Sequence, residues 1–261
     1  MILAVSSTVS APPLLAPWQH LLRGFDITRQ QPDLYLKLVF LYSLPPMAAA
    51  WVVLFGPPLS QPLAFSLPVI TMVVAPVVLM HAVDAGHDGE RIGVLEATRR
   101  GVPSVPRYVW TNVHTTLLFW VPVGTLVLLR DHSPLGDVVP AAAWVALIGA
   151  VAIHQHVRTV LAPYLAVHGN LDGRQAALAS WHLGGRYFWL LLGTFLIASL
   201  PVALPLGGAF LVAEHFGPDP LSAALLAVSW QLGWVAVQST RPVLIPALHT
   251  VYEDLCAHGV V

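Results

Sequence analysis

Charge is scarce in this chain. Only 10% of its 261 residues are charged, whereas 56% are hydrophobic. A soluble domain carries roughly 25% charged and about 45–50% apolar residues. Because a soluble fold could not cover this much apolar surface, the composition predicts a membrane protein. The formal net charge of −1 lacks the basic excess that is typical of nucleic-acid-binding proteins, so we expect no nucleic-acid partner.

Cysteines and catalytic motifs are also scarce. Cys256 is the single cysteine, which excludes an internal disulfide and a multi-cysteine metal site. The motifs Gly-x-Ser-x-Gly, Gly-x-x-x-x-Gly-Lys and Gly-x-Gly-x-x-Gly are absent, so serine hydrolases, phosphate loops and dinucleotide sites are not indicated. We therefore predict no catalytic residue and a non-enzymatic protein. Residues 1–17 lack the cationic start of a signal peptide, and we expect a disordered tail there.

Long apolar runs dominate what is present. A hydrocarbon core about 30 Å thick requires about 20 residues of helix. Six runs of this length predict six transmembrane helices, at approximately Leu34 to Phe55, Leu63 to Val83, Tyr108 to Leu129, Val138 to Val167, Phe188 to Val212 and Leu221 to Leu248. Turns rich in proline and glycine join them into three hairpins, at Gly56 to Pro62, Asp131 to Pro140 and Glu214 to Pro220.

A short amphipathic stretch precedes each predicted hairpin, and each is expected to form a helix at the cytoplasmic membrane interface. The three stretches are Trp18 to Thr28, Ile92 to Arg100 and Gln175 to Leu183. In the third, the pattern predicts that Ala177, Leu178, Trp181 and Leu183 face lipid, while Gln175, Ser180 and His182 face the headgroups.

Glycine and proline recur at fixed spacing through these units. Gly24, Gly101 and Gly184 are each followed by a proline 21 residues later, and by a second proline after 52, 62 and 62 residues. The second prolines are Pro76, Pro163 and Pro246. The spacing predicts an all-α polytopic membrane protein whose single domain, residues 18–261, contains three pseudo-repeated hairpins at about 18–91, 92–174 and 175–256.

Basic residues predict the orientation. Nine of them lie on the side of the amphipathic stretches, namely Arg23, Arg29, Lys37, Arg91, Arg99, Arg100, Arg107, Arg174 and Arg186, and Arg130 alone lies in an outer turn. Under the positive-inside rule, both termini are cytoplasmic. We therefore predict a multi-pass protein of a bacterial inner membrane.

Two arginines occupy repeated positions inside predicted spans. Arg158 and Arg241 each lie five residues before a repeat proline. A charge on a membrane helix costs from about 3 to more than 10 kcal/mol, so it should face a partner, a cavity or an anionic headgroup. Two roles remain open: structural contacts to carbonyls and carboxylates, or recognition of a phosphate or carboxylate on a lipid-like molecule. The predicted lipid- or anion-binding residues are Arg158, Arg241, Arg99 and Arg100.

The chain contains 12 histidines. His81 and His168 each follow a repeat proline by five residues, which leaves open a haem or chlorin held between them. A denser group of potential ligands comprises His81, Asp84, His87, Asp88 and Glu90. We interpret it as a solvated, glycine-rich cytoplasmic loop and predict no metal site and no cofactor.

Two segments resemble a known family. The segment from Ala176 to Leu191, Ala-Ala-Leu-Ala-Ser-Trp-His-Leu-Gly-Gly-Arg-Tyr-Phe-Trp-Leu-Leu, and the closing Tyr252-Glu-Asp-Leu255 resemble the six-span membrane domain of glycerophosphoryl diester phosphodiesterases and related uncharacterised bacterial membrane proteins. In those enzymes a separate soluble barrel performs hydrolysis, and this chain resembles only the membrane domain. The resemblance therefore implies a membrane-embedded, non-catalytic role.

These observations predict a scaffold or accessory subunit that binds lipids or amphiphiles at the inner face, with membrane lipids and other membrane subunits as partners. One alternative is a transporter of a small anionic or amphiphilic compound, which would use proline-broken helices at the centre of the bundle. Another is a haem- or chlorin-binding subunit of a membrane electron-transfer complex.

Overall fold

The computed structural model describes residues 14–55, 61–198 and 241–260, and all regular secondary structure in these ranges is helical. The helices are α1 (Pro17–Gln30), α2 (Pro32–Phe55), α3 (Gln61–His87), α4 (Val94–Gly101), α5 (Val105–His132), α6 (Leu135–Val138), α7 (Ala141–Thr159), α8 (Ala162–Val167), α9 (Gly173–Arg186), α10 (Phe188–Ala198) and α11 (241–257). The predicted all-α class is confirmed for the described residues.

Two helical stretches are long and apolar enough to cross a membrane, Val94–His132 and Ala141–Val167. The criterion is length and composition, applied to the described residues. Helices α2 and α3 also cover the first two predicted spans. Most of the predicted third hairpin, residues 199–240, lies outside the described residues, as does the turn at 56–60. Six spans and three repeats therefore stay predictions.

The surface of α5 is unusually apolar. In the most apolar 18-residue window of the Val94–His132 stretch, 6% of the residues are buried. Large side chains that point outward from α5 include Trp110, Leu117, Trp120, Val121 and Leu128. The core helix of a soluble protein would hide such residues, so α5 instead presents an apolar surface to its surroundings.

Helices α1, α4 and α9 coincide with the three predicted amphipathic stretches. The start of α9 is fixed by Asp172, whose carboxylate accepts a hydrogen bond of 2.8 Å from the backbone N–H of Gln175. The predicted facing of α9 is wrong at two positions: Ala177 and Ser180 are both buried. Small side chains on this face let α9 pack closely on its neighbours, so the face is a helix contact.

Each repeat glycine lies against the backbone of a helix from another predicted repeat. A Cβ atom built on Gly24 would lie 2.6 Å from the backbone nitrogen of Ala247 in α11. The same atom on Gly101 would lie 3.1 Å from the Cα of Val78 in α3, and on Gly184 it would lie 2.4 Å from the Cα of Arg158 in α7. At Gly24 and Gly184 the contact leaves no room for a side chain, so close approach of the helices depends on glycine there, and at Gly101 the contact is tight.

Helices α3 and α11 end in the same way. Gly89 and Gly259 adopt the left-handed conformation, with φ of +71° and +64°. The next residue in each case donates a backbone hydrogen bond back into the helix, from Glu90 to Ala85 at 2.7 Å and from Val260 to Leu255 at 3.1 Å. This arrangement satisfies carbonyls at a helix C-terminus. Both helix ends are thereby fixed, and the last turns of both contribute side chains to the site described below.

The prolines have different local effects. The predicted span from Val138 to Val167 is interrupted at residues 160–161, immediately before Pro163, and continues as α8. Pro122, in contrast, lies inside an unbroken α5. Val160 and Leu161 keep right-handed helical dihedral angles, and α8, which follows them, carries Tyr164 and ends just before His168.

Candidate functional site

A cavity of about 450 Å³ lies between α3, α5, α7, α8, α10 and α11. Its apolar wall includes Phe119, Phe195 and Leu244. Hydroxyl and amide groups also line it, from Asn112, Thr115, Thr116 and Thr159. A mostly apolar cavity with a few polar groups is the usual form of a small-molecule site.

Arg241 brings a positive charge to this cavity. Its Nη1 atom is buried and has no hydrogen-bond partner. Tyr108 and His156 line the same cavity. A buried N–H of a charged group without an acceptor is costly. An oxygen atom of a bound anion would remove that cost.

Arg158, at the matching position of the preceding repeat, is engaged within the protein. Its guanidinium carbon lies 4.1 Å from the centre of the Trp181 ring. Its Nε donates to the carbonyl of Trp181 at 3.1 Å, and the hydroxyl of Ser180 donates to the carbonyl of Arg158 at 2.9 Å. These contacts join α7 to α9. The structure therefore places the two predicted arginines in different surroundings.

The other two predicted residues lie on α4. Arg100 donates to both carboxylate oxygens of Glu90 at 2.7 Å and to Glu96 at 2.9 Å. The hydrogen bonds with Glu90 raise the pKa of Arg100 and lower the pKa of Glu90. Arg99 is exposed. Neither arginine is among the residues that line the cavity.

The predicted loop around Asp84 is helical up to His87, because α3 continues past the predicted span end at Val83. Its loop assignment is therefore wrong for His81, Asp84 and His87. The structure brings His81 and His168 together, with ring centres 5.9 Å apart. Both face one carboxylate: Oδ2 of Asp84 lies 3.0 Å from Nδ1 of His168 and 3.9 Å from Nδ1 of His81.

A third histidine, which the sequence analysis did not single out, completes this group. Nε2 of His249 lies 3.4 Å from Oδ1 of Asp84 and 3.1 Å from Oε1 of Glu253. His87 lies on the other side of Glu253, at 3.4 Å. Burial raises the pKa of Glu253, but the imidazoles of His249 and His87 outweigh it, so the pKa is lowered. His249 does not match the repeat pattern, because it follows Pro246 by three residues, whereas His81 and His168 follow their prolines by five.

Tyr164 lies near both the cavity and this histidine group. Its ring lines the cavity, and its centre lies 6.3 Å from that of His168 and 6.5 Å from that of His249. The phenol is fixed because it donates a hydrogen bond of 3.0 Å to the carbonyl of Ile245. The cavity and the histidine group therefore share Tyr164 as a neighbour.

Comparison of the chain with protein-family models, with curated proteins and with solved structures gives no match. The resemblance to the membrane domain of glycerophosphoryl diester phosphodiesterases stays a prediction.

Proposed function

We propose that this protein is a non-enzymatic, multi-pass membrane protein that binds an anionic amphiphile in the cavity beside Arg241. The observation that carries the proposal is the buried, unpartnered Nη1 of Arg241 at a largely apolar cavity of about 450 Å³. A guanidinium offers a planar fork of donors to phosphate or carboxylate oxygens.

The cavity provides for both parts of such a ligand. Arg241, Asn112 and the threonine hydroxyls suit the oxygens of a headgroup, and the side chains of Phe119, Phe195 and Leu244 suit an acyl or isoprenoid chain. A small polar anion would leave the apolar wall without a partner, and a neutral lipid would leave the guanidinium without one. The combination therefore favours an anionic amphiphile.

The membrane part of the proposal is supported by α5. Its exposed apolar side chains need a nonpolar environment, and its length suffices to span one. In the proposed arrangement six spans form three hairpins in a bacterial inner membrane, with both termini cytoplasmic as the basic residues predict. The contacts of Gly24, Gly101 and Gly184 support a cyclic order, because each amphipathic helix rests on a helix of another repeat.

Lipid content tests the proposal. We would purify the protein in mild detergent and identify bound molecules by native mass spectrometry, for the wild type, Arg241→Met and the control Arg130→Met. Arg130 carries the same charge but lies in an exposed position beside Asp131. We expect a stoichiometric anionic amphiphile on the wild type and on Arg130→Met, and its loss from Arg241→Met.

A binding titration separates ligand classes and does not depend on Arg241 variants folding. Oleate presents a carboxylate headgroup and dioleoyl phosphatidate presents a phosphate, whereas dioleoylglycerol has a neutral headgroup. We expect the wild type to bind at least one of the two anionic probes at least tenfold more tightly than the neutral one. Equal affinity for all three, together with no co-purified amphiphile, would refute the proposal.

Two alternatives stay predictions. Substrate-dependent flux in liposomes tests a transporter. Visible absorption of the pure protein, compared with that of His168→Ala, tests a haem or chlorin at His81 and His168.

A further inference from the structure

Side chains from three separate parts of the chain meet at one carboxylate. Asp84 lies in the last turn of α3, His168 directly follows α8, and His249 lies in α11. One ligand atom from each of these residues can be chosen so that all three atoms lie within 4.8 Å of one another. Glu253, one turn after His249, adds a second carboxylate. We propose that these four residues bind a divalent transition-metal ion such as Zn²⁺.

The spacing of the donor atoms fits a metal centre. A tetrahedral ion with bonds of about 2.0–2.1 Å places neighbouring ligand atoms roughly 3.3–3.4 Å apart. Three separations here are 3.0 Å from His168 to Asp84, 3.4 Å from Asp84 to His249 and 3.1 Å from His249 to Glu253. Asp84 approaches His168 through Oδ2 and His249 through Oδ1. These three separations, of the six among four donors, are compatible with a shared ion to which Asp84 turns one oxygen.

The state of His249 points independently to a ligand. Its side chain is 5% exposed, and neither ring nitrogen has a hydrogen-bond partner. Nε2 lies between two carboxylates without forming a well-aligned hydrogen bond to either. Nδ1 of this buried imidazole is unsatisfied, which is unfavourable, and Nε2 has only the ion-pair contacts with the two carboxylates. A metal ion at Nε2 would use its lone pair and would also balance the charges of Asp84 and Glu253.

The donor set indicates the class of ion. Two imidazoles and two carboxylates suit Zn²⁺ and neighbouring divalent transition metals, whereas Mg²⁺ and Ca²⁺ prefer oxygen ligands alone. Two further histidines lie next to the carboxylates. His87 lies 3.4 Å from Glu253, and His81 lies 3.9 Å from Asp84 while its Nε2 lies 3.2 Å from the hydroxyl of Ser104. Such outer partners orient the ligands of a metal.

Metal content of the full-length protein tests this inference. The protein, without an affinity tag, would be purified in mild detergent, incubated with one equivalent of Zn²⁺ and desalted before elemental analysis. We expect one bound zinc per chain. Co²⁺ in place of Zn²⁺ should give the intense visible absorption of a tetrahedral site. A wild-type protein that retains neither ion would overturn the inference, whatever the variants do.

Variants locate the ion. Asp84→Asn and His249→Gln each remove one ligand with little change in size. Because loss of an outer partner alone costs roughly 10- to 100-fold in metal affinity, we expect losses larger than this. His182→Gln, which removes an exposed histidine of α9, should bind as the wild type does. Undiminished zinc binding by correctly folded Asp84→Asn and His249→Gln would place the ion elsewhere and refute the site.

Discussion

At the scale of single residues, arginines at equivalent positions in the predicted repeats have different contacts. Arg158 is stacked on Trp181 and bonded to a carbonyl, whereas Arg241 faces a cavity with an unpartnered nitrogen. Both lie five residues before a proline. The difference comes from the neighbouring helix, because α9 provides the ring and the backbone carbonyl of Trp181 to Arg158.

Arg158→Met should therefore destabilise the protein and leave its bound amphiphile in place. The cation–π contact and the hydrogen bond to Trp181 together contribute on the order of 1–3 kcal/mol. We expect a lower melting temperature in detergent with unchanged lipid content by native mass spectrometry. The reverse result, an unchanged melting temperature with loss of lipid, would assign recognition to Arg158.

His20 gives the protein a predictable pH dependence. The ring is fully buried, with Nδ1 3.1 Å from the hydroxyl of Thr250, and burial lowers its pKa below 6.5 despite the opposing charge of Asp254. The unfolded chain therefore binds a proton that the folded chain does not. Stability should fall as the pH drops below about 6.5, with a slope of up to about 1.4 kcal/mol per pH unit.

The comparison with His20→Gln isolates this effect, because glutamine can still hydrogen-bond to Thr250 but does not titrate. Chemical unfolding in detergent between pH 7.5 and 5.5 should show a shallower loss of stability for the variant. This range lies above the titration of ordinary carboxylates. Parallel curves for the two proteins would show that His20 does not titrate on unfolding.

At the scale of helices, close packing depends on glycine. Gly184→Ala would place a methyl group 2.4 Å from the Cα of Arg158, and α9 would have to move away from α7. Overpacking of this kind costs typically about 1–3 kcal/mol. Gly149→Ala in α7 is a matched control, because a Cβ atom there meets nothing within 4 Å. Alanine at this helical position should stabilise the protein by up to about 1 kcal/mol.

Thermal unfolding of both variants measures this difference. A lower melting temperature for Gly184→Ala, with an unchanged or higher one for Gly149→Ala, is expected. Equal melting temperatures would mean that α9 adjusts to the methyl group without loss.

The existence of α1, α4 and α9 could be predicted from their amphipathic pattern, but the buried face of α9 could not. Ala177 and Ser180 are small, and small residues suit a lipid surface, a headgroup region and a helix contact almost equally. Periodicity also placed the end of α3 too early, because the helix continues through polar residues to His87. Polarity marks the end of an apolar run, whereas backbone hydrogen bonding determines the end of a helix.

The histidine group illustrates the same limit for sites. Asp84, His168 and His249 are separated by 84 and 81 residues, and only the packing of α3, α8 and α11 brings them together. Because His81 and His168 each follow a repeat proline by five residues, the sequence identified both of them. The ligand that it suggested between them was a haem or chlorin. The arginines beside Pro163 and Pro246 were also found from sequence, whereas their different surroundings depend on tertiary contacts.

At the scale of the whole molecule, the exposed apolar surface predicts contact with lipid acyl chains. Trp120 in α5 is 59% exposed and Trp144 in α7 is 5% exposed. In vesicles that contain brominated phospholipids, Trp120→Phe should remove more of the quenchable fluorescence than Trp144→Phe. The chain has nine tryptophans, so the two variants are compared with each other and with the wild type.

If α5 faces water or another protein, Trp120→Phe should remove no more quenchable fluorescence than Trp144→Phe does. That outcome would contradict a lipid-facing α5 and would leave the cavity and metal experiments unaffected, because neither depends on the surroundings of this face.

The contact between Gly24 and Ala247 joins residues 223 positions apart. Helix α1 is therefore synthesised more than 200 residues before the backbone against which Gly24 packs. During synthesis of the intervening residues, this face of α1 lacks the neighbour that it contacts in the folded protein. A chain truncated before α11 would lack that neighbour together with His249, so a single early stop would remove both the packing partner of Gly24 and one member of the histidine group.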